Sequence, residues 1–133
     1  MKYLLDTNVC ITFLGQRNPL LNKQFSNVPA QDKIVCSIVR GELYHGVYKS
    51  QRAQVNLLRI DSFLAYLPTL PFDDQAARLY GVVRAELEAK GTPIGNNDLQ
   101  IAAIALANHL TLVTHNTREF SRIPNLNLTD WEI

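Results

Sequence analysis

Three acidic residues, Asp6, Glu42 and Asp98, stand in local settings where a surface charge is not expected. Asp6 directly follows the apolar run Tyr3-Leu4-Leu5, at the carboxyl end of a predicted strand, where open α/β sheets bind ligands. The plainer role for Asp6, or for Asn8, is to cap the helix that follows. Glu42 falls inside the apolar arc Ile38, Val39, Leu43 and Val47 of a helical stretch, with Gly41 beside it and Gly46 one turn on. A carboxylate there snorkels, pairs with a buried Arg or binds a cation. The glycines leave open space next to it, which favours a ligand. Asp98 opens an apolar stretch reaching Ala107, just after the loop Gly91-Thr92-Pro93-Ile94-Gly95. Its plain alternative is a helix-dipole or capping role. A fourth acid, Glu119, lies in Thr114-His115-Asn116-Thr117-Arg118-Glu119-Phe120, where a lone Glu is ordinarily a solvated loop acid.

Carboxylates gathered at one end of a sheet repel one another and remain ionised only beside a cation; otherwise one takes up a proton. Oxygen-only ligation suits Mg²⁺, with Mn²⁺ as a substitute, over zinc. Such a cation lowers the pKa of a bound water and neutralises charge on a scissile phosphate. Thr7 and Asn8 stand next to Asp6 and are placed to hold it or that water. No pair of histidines is required: His109 reads as a helix-end residue, and His115 as a strand-end residue of open role.

These side chains need a frame. Lys2–Leu5 reads as a short strand, and Thr7–Leu14 has helical spacing that stops at Gly15. Asn18-Pro19 begins a second helix. Lys33–Cys36 reads as a strand, and Ser37 as the cap of a helix from Ile38 to about Lys49. A helix over roughly Arg52–Tyr66 is expected to turn Val55, Leu58 and Leu64 inward. Leu67–Phe72 reads as an edge strand, because Pro68 and Pro71 would interrupt a central one. Asp73 caps a helix to Lys90, with Ala76, Tyr80, Val83 and Leu87 on one face, ended by Gly91. Asn96 or Asn97 is the expected cap of a helix through Asn108, apolar all round and therefore central. Thr111–Thr114 is a further strand, and a last one precedes Trp131. Strands alternating with helices predict an α/β fold, a mostly parallel sheet flanked by helices.

The chain has 133 residues, 47% hydrophobic and 19% charged, which predicts a single domain over residues 1–133 on one core. Net charge is +1, excluding nucleic-acid binding by bulk positive charge while leaving room for a local basic rim. Two cysteines, Cys10 and Cys36, make no disulfide framework, and no partner stands at zinc spacing. An early carboxylate at Asp6 argues against a signal peptide, and no apolar run is long enough for a membrane span. A reducing cytoplasm is the expected location.

Taken together, Leu4-Leu5-Asp6-Thr7-Asn8, Ser37-Ile38-Val39-Arg40-Gly41-Glu42-Leu43, Pro93-Ile94-Gly95-Asn96-Asn97-Asp98-Leu99-Gln100-Ile101-Ala102-Ala103 and Leu112-Val113-Thr114-His115-Asn116-Thr117-Arg118-Glu119-Phe120 resemble the PIN-domain ribonucleases. More narrowly, they resemble the VapC toxins of bacterial VapBC toxin–antitoxin modules, over residues 2–131. The resemblance implies a PIN-like fold and a Mg²⁺-dependent endoribonuclease that leaves a 5′-phosphate and a 3′-hydroxyl. Asp6, Glu42 and Asp98 match the three core metal-holding acids. Asn116 stands where many PIN domains have Asp, which shifts the fourth acidic contribution to Glu119. Thr114, Asn116 and Arg118 are then expected to support the acids or touch substrate. The resemblance also implies a VapB-type antitoxin, a homodimer, and RNA, with tRNA cut in the anticodon region, as the substrate whose loss inhibits translation.

RNA approaching an acidic centre needs basic groups nearby, and Arg40, Lys49, Arg118 and Arg122 are candidates. Tyr44 and Tyr48 could stack bases, whereas Tyr80 reads as core. Two other classes compete. An aspartyl-nucleophile phosphohydrolase wants a second Asp two residues after Asp6, where Asn8 stands. A non-catalytic interaction module would have no need of Asp6, Glu42 and Asp98 together. A DNA-directed nuclease of related fold is a third reading, separable by parallel RNA and DNA substrates.

Overall fold

The computed structural model describes residues 1–133 as five short strands and seven α-helices. In chain order these are β1 (Tyr3–Leu5), α1 (Thr7–Leu14), α2 (Pro19–Asn27), β2 (Lys33–Cys36), α3 (Ser37–Lys49), α4 (Ala53–Leu64), β3 (Thr69–Leu70), α5 (Asp74–Ala89), α6 (Asn96–Ala107), β4 (Thr111–Val113), α7 (Thr117–Phe120) and β5 (Leu128–Thr129). A single 3-10 turn, Ala30–Asp32, leads into β2. The strands lie in the order β3-β2-β1-β4-β5, and every neighbouring pair is parallel. The sheet is therefore wholly parallel, and the architecture is the PIN-like α/β fold. No helix is long and apolar enough to cross a membrane.

Parallel neighbours need covered faces, and the sequence supplies them. Every residue of β2 is buried, and Leu4, Leu5, Leu112 and Val113 are fully so. Helix α6 is buried on nearly all sides through Leu99, Ile101–Ala105 and Ala107. Its small Ala102, Ala103 and Ala105 suit close packing against α5. At the other side Phe13, Phe25 and Phe63 join α1, α2 and α4, with the Phe13 and Phe25 rings stacked at 3.7 Å. The Lys33 ammonium sits 3.8 Å above Phe25 and donates to the Phe25 carbonyl oxygen at 2.8 Å, tying β2 to the end of α2.

The helix ends follow local chemistry where side chains decide them. Asn18 caps α2 by accepting from the Leu21 N–H, and Asp73 caps α5 by accepting from the Ala76 N–H. Gly91 takes φ +69°, and paired bonds from Gly91 N–H to Glu88 O and from Thr92 N–H to Leu87 O close α5 in a Schellman turn. Three expectations need correction. Helix α3 starts at Ser37 itself, with Cys36 at the cap position and no side-chain cap bond. Helix α6 is preceded by Gly95, so neither Asn96 nor Asn97 is its cap. In α4, Val55 and Leu58 are exposed, and Ile60 and Leu64 carry the buried face. Tyr80 packs against the core at its edge, half-buried: its ring meets Phe72 edge-on and its hydroxyl donates to Asn96.

Strand order fixes where a ligand can sit. The chain builds outward from β1 through β2 to β3, then returns to the other side of β1 for β4 and β5. Between β1 and β4 the direction of winding reverses, which opens a crevice outside their carboxyl ends.

Candidate active site

Asp6 stands at that crevice, one residue past β1, and only 6% of its surface is exposed. Its backbone N–H extends the ladder to the Val113 carbonyl of β4. The carboxylate accepts on both oxygens: Oδ1 from the Thr7 N–H and Oδ2 from the Thr114 hydroxyl, each at 2.8 Å. An ordinary helix cap would accept from the second or third helical N–H. Asp6 binds only the first, so its capping geometry is secondary to the contact with β4. Thr114 is fully buried, and its oxygen in turn accepts from the Asn116 N–H at 3.0 Å. One hydroxyl thus fixes Asp6 and shapes the turn that leads to Glu119.

Thr7 joins the first acid to the second. While its N–H serves Asp6, its hydroxyl donates to Glu42 Oε1 at 2.6 Å. The other oxygen of Glu42 accepts from the Asn97 side chain at 3.4 Å. Glu42 has no basic partner, so the buried ion-pair alternative does not hold. Asp98 lies in the first turn of α6, half-buried, and makes no cap bond.

Asp98 reports on its neighbours through its acidity. Its carboxyl is pushed from 3.8 up to about 6, first by burial and then by the negative charges of Asp6, Glu42 and Glu119. Asp6 is raised as well, mainly by burial, against the pull of its bonds to Thr114 and Thr7. All four acids therefore share one electrostatic neighbourhood. No Lys, Arg or His forms an ion pair with any of them. Uncompensated and oxygen-only, this set has the donor chemistry that a hard divalent cation takes, and such a cation would restore full ionisation.

The remaining candidates are distributed unevenly. Asn116 precedes α7 and is exposed, and the four-residue helix α7 carries Glu119, half-buried and near enough for its charge to act on Asp98. Asn8 and Arg118 are exposed, and their side chains make no bond to the acids. Arg122 donates to the Pro93 carbonyl, bracing the loop before α6. Arg40 turns toward Thr69 and Tyr44, and Tyr44 donates to Asp61, so neither reaches the acids. His109 has φ 54° just after α6, as a helix-end residue. His115 pairs with Asp130 at 2.9 Å and is held above its ordinary pKa by that contact. Asn97, which supports Glu42, is absent from the sequence-based candidates for that role; its one signal in the sequence is an amide directly before Asp98 in a first helical turn.

Comparison with known proteins places this geometry. The PIN domain matches residues 3–126. Ribonuclease VapC2 of Rickettsia felis is 41% identical over 133 residues, covering 99% of each chain. The tRNA(fMet)-specific endonuclease VapC of Salmonella typhimurium is 39% identical over 131 residues, covering 98% of each. In the crystal structure of VapBC2 from Rickettsia felis bound to a DNA fragment from their promoter, the matching chain superposes with a TM-score of 0.90 at 41% identity, over 98% of this chain and 99% of that one. With its PIN-like sheet, its cluster of acids at the switch point and end-to-end likeness to these ribonucleases, the chain belongs to the VapC family of PIN-domain ribonuclease toxins and is a nuclease.

Proposed function

We propose that the protein is a Mg²⁺-dependent endoribonuclease that cuts tRNA in the anticodon region and thereby inhibits translation. The observation that carries the metal dependence is the group of four carboxylates without a basic partner, one of them raised to about 6. Asp6, Glu42 and Asp98 would hold the cation, with Glu119 completing the acidic wall. When bound, Mg²⁺ supplies charge neutralisation at the scissile phosphate and a more acidic water for in-line attack. The chain's own part is to position. The Thr7 N–H and the Thr114 hydroxyl each take one lone pair on opposite oxygens of Asp6, so both oxygens keep a further lone pair for a ligand. Thr7 and Asn97 do the same for Glu42.

Initiator tRNA is the proposed target, supported by the name of the relative that is 39% identical. A VapB-type antitoxin is the proposed partner, together with a toxin homodimer in the larger complex. A groove of about 250 Å³ between α1, α3 and α4 runs up to Glu42; Ile11, Leu43, Val47 and Ile60 offer it an apolar floor and Arg17 and Arg59 add positive charge, which suits an amphipathic antitoxin segment. An Arg from such a segment would pair with the acids in place of the cation. Mapping RNA ends after brief induction tests the reading, with Asp6→Asn as control. New ends confined to the anticodon region of one tRNA, absent in the variant, are expected. Unchanged RNA, or equal cleavage by both proteins, would overturn it. Calorimetry showing no uptake of Mn²⁺ or Mg²⁺, even with RNA bound, would remove the metal mechanism.

A further inference from the structure

A second depression opens from Glu42 on the side facing Asn97, away from the apolar groove. It measures about 310 Å³ and is lined by Ser37, Ile38, Gly41, Glu42, His45 and Asn97. Ser37, Gly41 and His45 are spaced four apart on α3, so they form one stripe along the helix, and all three are exposed. The middle of the stripe is bare. A Cβ added at Gly41 would meet no atom within 4 Å, so the helix backbone is open to an approaching group at that point.

We propose that this hollow seats the nucleoside adjoining the scissile phosphate and selects the sequence that is cut. The inference rests on the ribonuclease reading above and adds to it where the substrate's specificity is read. No Lys or Arg lines the hollow, which argues against a phosphate there. A hydroxyl, an imidazole and an amide offer donors and acceptors to ribose or to a base edge, and the imidazole offers a face for stacking. A phosphate brought beside Glu42 by a cation would have its neighbouring sugar and base within one nucleotide's reach. Of the two openings beside Glu42, this one has Ile38 as its single hydrophobic residue, whereas the other joins five hydrophobic residues to Arg17, Asn56 and Arg59. Gly41 keeps the floor flat enough for a ring to approach the helix.

The test compares wild type, Gly41→Val and His45→Ala on anticodon stem-loop RNAs that differ in one nucleotide on either side of the cut. Gly41→Val fills the hollow and replaces a residue of poor helix propensity, so melting temperature is expected to hold or rise. Its cleavage of the preferred RNA should fall at least tenfold, with the preference between RNAs flattened and Mn²⁺ uptake unchanged. His45→Ala should flatten the preference with a smaller loss of rate. Both variants keeping wild-type rates and preferences would overturn the subsite. So would a loss of Mn²⁺ uptake in Gly41→Val, since the effect would then run through Glu42. Wild-type cleavage by a Gly41→Val toxin that escapes its antitoxin would assign the hollow to the protein partner instead. Wild type that cuts none of the RNAs would overturn the ribonuclease reading itself, a separate outcome.

Discussion

Replacing Asp98 with Asn removes one negative charge from the cluster while keeping the side chain's shape, and its effect on stability can be worked out. In the apo protein Asp98 rises from 3.8 to about 6. At about 1.4 kcal/mol per unit that is at most about 3 kcal/mol of penalty on the ionised form. The side chain is partly exposed, so screening reduces it to roughly 1–2 kcal/mol. The α6 dipole, which favours an acid in the first turn, offsets about 0.3–1 kcal/mol for any acid there. A net gain of about 1 kcal/mol is therefore expected for Asp98→Asn at pH 8, or about 3–5 °C in melting temperature for a chain of this size. The sign depends on pH. Because the native carboxyl holds its proton where the unfolded one has lost it, the penalty is absent below 3.8 and grows as pH rises through about 6. Paired melting curves of apo wild type and variant should thus coincide near pH 4 and separate by pH 8. Saturating Mn²⁺ should reverse the order, stabilising wild type far more than the variant, while single-turnover cleavage by Asp98→Asn falls by orders of magnitude. A variant less stable than wild type at pH 8, or equally stabilised by Mn²⁺, would refute this account and return Asp98 to a purely capping role.

Glu42→Gln should leave the fold intact, since an amide oxygen still accepts from Thr7, yet cut RNA slower by orders of magnitude; a large drop in melting temperature would contradict that. Thr114→Val should cost about 1–3 kcal/mol in denaturant unfolding, because it leaves a buried Asp6 oxygen and the Asn116 N–H unpaired. Its cleavage rate should fall beyond what the unfolded fraction explains. Asn116→Asp adds a fifth carboxylate beside the crevice and should tighten Mn²⁺ binding in calorimetry, with a milder effect on cleavage than any loss among Asp6, Glu42 and Asp98.

Much of this frame was legible because the local signals were unopposed. Thr7–Leu14 emerged with its predicted bounds since Gly15 stops it, and Pro68 and Pro71 kept Thr69–Leu70 at the sheet's edge as expected. Helix α4 misled because it carries apolar residues on two arcs. Val55 and Leu58 lie on one, and Ile60 and Leu64 on the other, and only the packing of α3 decides which turns in. The caps of α3 and α6 were misplaced because Ser37, Asn96 and Asn97 sit one or two residues inside helices that begin on backbone geometry alone. Among the acids, position and residue type marked Asp6, Glu42 and Asp98 as candidates while leaving capping roles open for Asp6 and Asp98, and it is the family resemblance that joins the three. What the chain order could not state is their wiring: that Thr7 serves two acids at once, that Asn97 reaches Glu42, and that a short helix brings Glu119 within electrostatic range of Asp98.

The bond between Thr114 and Asp6 spans 108 positions of the chain. Asp6 emerges from the ribosome almost at once, whereas Thr114 and Glu119 emerge near the very end. Until then β1 lacks β4, the neighbour that completes its side of the crevice, and the Asp6 carboxylate has only its local N–H for a partner. A growing chain consequently holds the ingredients of the nuclease without their arrangement. Synthesis thus sets the order of assembly, and the crevice is complete only once β4 has joined β1.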